Sequence, residues 1–84
     1  MIVRLTGRVM DGGAPREGAY LRVNGPSGDF VTECRTGPEG YFGFNLPAGE
    51  WTLIALAPGG KRISRKIELT PTAKDVTIDL GEAS

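Results

Sequence analysis

The sequence predicts an all-β fold, a seven-stranded antiparallel Greek-key sandwich, and three observations carry that expectation. Large apolar residues alternate with polar ones in short runs, the period of a strand with one buried and one wet face. Turn-forming Gly, Pro, Asn and Asp separate the runs at regular intervals. No segment sustains a helical period.

The elements follow in order. Val3, Leu5, Gly7 and Val9 alternate with Arg4, Thr6 and Arg8 in the first strand, and Asp11-Gly12-Gly13 with Ala14-Pro15 turns the chain. Ala19, Leu21 and Val23 mark the second strand, which Gly25 to Asp29 breaks. Residues 30–35 form the third, with Phe30, Thr32 and Cys34 expected on one face. Phe42, Phe44 and Leu46 mark the fourth, and residues 51–57 the fifth. Residues 63–69 form the sixth, and Val76, Ile78 and Leu80 mark the seventh. Thr70-Pro71-Thr72 fits a plain connection or one turn of helix. Residues 1–81 read as one domain, with 82–84 a frayed tail.

The stretch from Gly37 to Trp51 reads as a fold signature. Glu39-Gly40 closes a turn into a strand that sends Phe42 and Phe44 to the core. Pro47-Ala48-Gly49 then turns the chain so that Trp51 and Leu53 enter beside them. Gly43, on the opposite face, would admit another backbone. Losing Trp51 from the core is expected to cost roughly 3–5 kcal/mol, comparable to the whole stability of a chain this small, so Trp51→Ala is expected to unfold the domain.

Composition narrows the function. Ten basic and ten acidic side chains cancel, which removes the whole-molecule drive toward nucleic acid or a membrane surface. No apolar run is long enough for a helical membrane span. Cys34 is the single cysteine, so no disulfide within the chain and no cysteine metal cluster can form. With Met1 as a native start and no signal peptide, the expected compartment is the cytoplasm. The absence of histidine excludes Ser-His-Asp and Cys-His catalysis and histidine-based metal sites. Asp11, Asp29 and Glu39 fall in different turns and make no calcium loop. No catalytic residue, cofactor or metal site is expected.

The order Thr6-Gly7-Arg8-Val9-Met10-Asp11, Gly18-Ala19-Tyr20-Leu21-Arg22-Val23, Thr36-Gly37-Pro38-Glu39-Gly40-Tyr41-Phe42-Gly43-Phe44, Leu46-Pro47-Ala48-Gly49-Glu50-Trp51-Thr52-Leu53 resembles the carboxypeptidase regulatory-like domains. That resemblance implies a transthyretin-like (prealbumin-like) sandwich. More narrowly, the chain is similar to small actinobacterial proteins of unknown function found next to thiosulfate sulfurtransferase (rhodanese-type) enzymes. Those generally carry an extra N-terminal segment with a cysteine that this chain lacks, and Cys34 does not match it. The enzymes that share related sandwiches, a urate-pathway hydrolase and the intradiol dioxygenases, rely on histidines. Adhesin domains of similar shape use a Lys–Asn isopeptide bond, but the first strand here offers Arg4 and Arg8 and the last Asp75 and Asp79.

Three features remain as candidates. Cys34 is either a persulfide-carrying thiol or a small buried hydrophobe. Lys61-Arg62-Ile63-Ser64-Arg65-Lys66 either meets an acidic or phosphorylated partner or is a solvated edge whose charges block aggregation. Ile54 and Leu56 face outward if Trp51, Leu53 and Ala55 face the core, and form a contact surface unless a bulge or loop intervenes. The expected function is a non-enzymatic interaction module docking through Ile54, Leu56, Lys61, Arg62, Arg65 and Lys66. Its expected partner, a rhodanese-type sulfurtransferase, is implied by the resemblance, and self-association through the same face is open. The alternatives are a sulfur carrier using Cys34, or a carbohydrate- or peptide-binding domain of a larger protein.

Overall fold

Alternation is realised most fully in strand β1 (Ile2–Asp11), where Val3, Leu5 and Val9 are buried and Arg4 points to solvent. In the computed structural model, which describes residues 1–82, seven further strands follow. They are β2 (Ala14–Pro15), β3 (Tyr20–Asn24), β4 (Phe30–Arg35), β5 (Tyr41–Pro47), β6 (Gly49–Leu56), β7 (Arg62–Leu69) and β8 (Lys74–Asp79). The expected tail at 83–84 lies outside the described residues.

The strands make two sheets. In the first, β1 is central: residues 2–8 pair antiparallel with β5, and residues 5–10 pair parallel with β8. The two-residue β2 continues the β5 side at Met10 and Asp11. The second sheet runs β4-β3-β6-β7, antiparallel throughout. The all-β sandwich is as expected, with β1–β8 its one parallel pair. Leu80 lies past the end of β8 in a 3₁₀ turn, yet it stays buried.

The core lies between the sheets. Val3, Leu5, Val9, Phe42, Phe44, Leu46 and Ile78 enter it from one side, and Ala19, Leu21, Val23, Leu53, Ala55 and Leu69 from the other. Gly7 faces it too, because a Cβ there would collide with the Phe42 ring and with the Val76 carbonyl. Glycine therefore lets an aromatic ring come close to the central strand. The chain crosses between sheets at Pro47-Ala48-Gly49. Ala48 donates its N–H to Met1 O at 3.1 Å, and Trp51 Nε1 donates to Pro47 O at 2.9 Å.

Three expectations change. Phe30 does not share a face with Thr32 and Cys34: the β3–β4 register shifts at Val23/Asn24, Val31 is the extra residue, and Phe30 opposes Asn24 on the outer face. A bulge reverses every side chain beyond it. Trp51 is only partly buried, packed against the core near the start of β6. The space over Gly43 is filled by the Arg4 guanidinium, not by a backbone.

Candidate docking surface

The face of the second sheet that turns away from the core is set by register. Row by row it presents Arg35, Tyr20, Leu56 and Arg62, then Glu33, Arg22, Ile54 and Ser64. Beyond these lie Phe30, Asn24, Thr52 and Lys66. Alternation in β3 and β6 fixes this, because Leu21, Val23, Leu53 and Ala55 take the opposite side.

The arginines of the face lie over its aromatic rings. Arg35 stands over the Tyr20 ring at 5.0 Å, and Arg22 over the Phe30 ring at 5.1 Å. Arg22 also pairs with Glu33 at 3.6 Å. Stacked guanidinium groups on half-exposed rings are amphipathic and pre-ordered. Tyr20 keeps 45% of its surface exposed, Phe30 55% and Val31 42%. Ile54 points the same way but is only 7% exposed, between Arg22 on β3 and Ser64 on β7. Leu56 is half-buried between Tyr20 and Arg62. The expected pair is therefore the floor of the face, and the rings and arginines are its exposed layer.

The basic cluster does not act as one patch. Lys61, in the turn after β6, gives its Nζ to Asp11 Oδ1 at 2.8 Å and ties that turn to the end of β1. Arg62 and Lys66 stand exposed on the outer face of β7. Arg65 alternates with them, half-buried on the core side opposite Leu53.

Cys34 lies on the core side of β4, opposite Leu21, and is half-buried. Burial pushes its thiol above the ordinary value of 9.0, so it is protonated at neutral pH. A reactive cysteine needs the reverse shift.

Tyr20 was legible as outward from the alternation of β3, whereas the bulge hid Phe30. A second feature was missed with Trp51. An open cleft of about 370 Å³ lies where β6 begins and β7 ends, lined by Pro26, Glu50, Trp51, Thr52, Lys66, Ile67 and Glu68. Among the described residues no group of three or more His, Cys, Asp or Glu could hold a metal ion, and no helix is long and apolar enough to cross a membrane.

Comparison with known proteins gives a family match. The family model described as "Protein of unknown function (DUF1416)" matches residues 2–80. Two uncharacterized proteins of Mycobacterium tuberculosis, Rv0814c and Rv3118, are each 40% identical over 57 residues. That stretch is 67% of this chain and 57% of theirs, so less than two thirds of either relative is matched. Among solved structures, the major pilin subunit BcpA of Bacillus cereus superposes with a TM-score of 0.72 at 13% identity, covering 92% of this chain and 29% of its own. A DUF3823 family protein from Parabacteroides merdae does so at 0.67 and 18% identity, covering 93% and 45%. The Bacillus anthracis TIE protein does so at 0.70 and 17%, covering 92% and 16%. At such identities the likeness is one of fold.

Proposed function

The chain belongs to the DUF1416 family of proteins of unknown function, and on that footing we propose that it is a non-enzymatic protein-interaction module. The observation that carries the proposal is the outer face of β4-β3-β6-β7. There Tyr20 and Phe30 stand exposed under stacked Arg35 and Arg22, over a floor of Ile54 and Leu56. Aromatic rings and arginines are the side chains that dominate protein-binding surfaces. The partner we propose is a rhodanese-type sulfurtransferase, and that choice rests on the similarity to small actinobacterial proteins encoded beside such enzymes. Burial raises the pKa of the Cys34 thiol, which weighs against a sulfur-carrier role.

The test is native mass spectrometry of the chain with a rhodanese-type sulfurtransferase, with and without thiosulfate. A complex that disappears in the Tyr20→Ala/Leu56→Lys variant, with the melting curve kept, is the expected result. A complex indifferent to that variant would remove this face. Sulfur added to the chain and lost in Cys34→Ser would replace the docking role with a carrier role.

A second function is favoured by one observation. Trp51 is partly buried and lines an open cleft together with Glu50, Thr52, Lys66 and Glu68, whose hydrogen-bonding groups suit a sugar. Trp51 is the single tryptophan, so its fluorescence reports the cleft alone. Titration with soluble oligosaccharides that leaves the emission unchanged would end this alternative.

A further inference from the structure

A sandwich of two open sheets leaves edge strands, and the edges of this one are not alike. β7 carries Arg62, Arg65 and Lys66 along its length, an inward cation among them, which repels a second copy. β5 is closed at both ends: Gly37 donates its N–H to Tyr41 O at 2.9 Å, and Pro47 has no N–H to give. β8 places Asp75 and Asp79 on the same face, so like charges line that edge.

β4 differs. It ends the second sheet, and its register with β3 is unbroken from Thr32 onward, past the bulge at Val31. Thr36 donates its N–H to Ala19 O on β3 at 2.8 Å. Backbone groups alternate in direction along a strand, so Cys34 also turns to β3. Glu33 and Arg35 then present their N–H and C=O groups at the open edge. Their side chains, on the outer face, are exposed and of opposite sign.

From this arrangement we infer that β4 pairs antiparallel with β4 of a second copy about a two-fold axis at Cys34, joining the two β4-β3-β6-β7 sheets into one. Charge complementarity selects the register. Centred on Cys34, Glu33 meets Arg35 of the second copy and Arg35 meets its Glu33, giving two ion pairs. These are also the residues with free backbone groups, so each pair exchanges two hydrogen bonds. Centred one residue earlier, Glu33 would face Glu33, and like charges directly opposite are unfavourable. The two Cys34 residues become a non-hydrogen-bonded pair on the core side. Their Cα atoms then stand about 4.5 Å apart, within disulfide reach. The inference does not depend on the docking role proposed above. Its consequence is a wider outer face with the Tyr20, Phe30 and arginine clusters duplicated across the axis.

Sedimentation velocity over a concentration series tests it. The wild-type chain is expected to dimerise. Glu33→Arg and Arg35→Glu are each expected to weaken dimerisation by at least about tenfold, through like charges across the axis. The combined Glu33→Arg/Arg35→Glu variant restores it, because the pairs reform with exchanged signs. Both side chains are exposed, and far-ultraviolet circular dichroism checks that each variant keeps its fold. Diamide should yield a disulfide-linked dimer as it takes two electrons and two protons from the two thiols, and Cys34→Ser should not. A chain that stays monomeric, a dimer indifferent to both reversals, or a combined variant that fails to recover would each overturn the pairing.

Discussion

Two glycines on neighbouring strands show how residue identity is decided by what lies opposite. A Cβ at Gly7 would meet the Phe42 ring and the Val76 carbonyl, neither of which can yield without moving the core or β8. Gly7→Ala is expected to cost about 1–3 kcal/mol, the usual range for overpacking. At Gly43 the Cβ would meet only the guanidinium of Arg4, the far end of a flexible side chain. Gly43→Ala is expected to be neutral within about 0.5 kcal/mol. Urea titration of the pair checks the contrast, and equal losses would mean that Phe42 does not lie against β1. Cys34 gives a second prediction at this scale. Its folded-state value is raised, so the folded form holds the thiol proton more tightly than the unfolded form. The resulting stability is fully present below the unfolded value and is lost as pH rises through the folded one. Alkylation by iodoacetamide should be slow at neutral pH and climb with a midpoint above 9.0. A midpoint below that value would mean a thiolate-favouring environment and revive the carrier role.

At the scale of elements, the joins matter as much as the strands. Thr36, just past β4, is buried; its hydroxyl donates to Arg16 O at 2.6 Å and accepts from Ala19 N at 2.9 Å. One side chain thus fastens the segment before β3 to the end of β4. Thr36→Val keeps the shape but orphans a donor and an acceptor, and should cost about 2–3 kcal/mol by chemical denaturation. Thr36→Ser should retain most of that. The comparison also shows what was legible. Inward faces of β1, β3 and β5 followed directly from alternation, because a buried face forces period two on the sequence. Phe30 was misplaced because a single extra residue, Val31, leaves no mark in a run of alternating size. Trp51 was misjudged because its burial depends on how far the neighbouring sheet extends past the corner at Pro47, not on its own strand. The basic run at 61–66 hid the same alternation that sends Arg65 inward between Ile63 and Ile67. The proposed docking face was half legible: Ile54 and Leu56 pointed to it, but the rings and arginines beside them sit on other strands.

For the molecule as a whole, the decisive contact joins the two ends of the described chain. β8 is the parallel partner of β1, and Thr6 Oγ1 donates to Asp75 Oδ1 at 2.7 Å across 69 positions of sequence. Nothing local to either strand dictates that pairing; it follows from Ile78 and Leu80 completing the core beside Val9. Burying each of those side chains contributes roughly 1.5–3 kcal/mol. A domain of this size has only on the order of 5 kcal/mol in total, so removing β8 should exceed the reserve. A chain ending at Ala73 also leaves the β8-facing edge of β1 without a partner, an open template for aggregation. We therefore expect that chain to lose its cooperative melt and to be cleaved rapidly by a nonspecific protease. Ile78→Ala in the full chain should fold with a melting temperature lowered by a loss of about 2–4 kcal/mol. A shortened chain that melts cooperatively near the parent temperature would mean that β8 is an accessory strand and that β1, β3, β5 and β6 close the core without it.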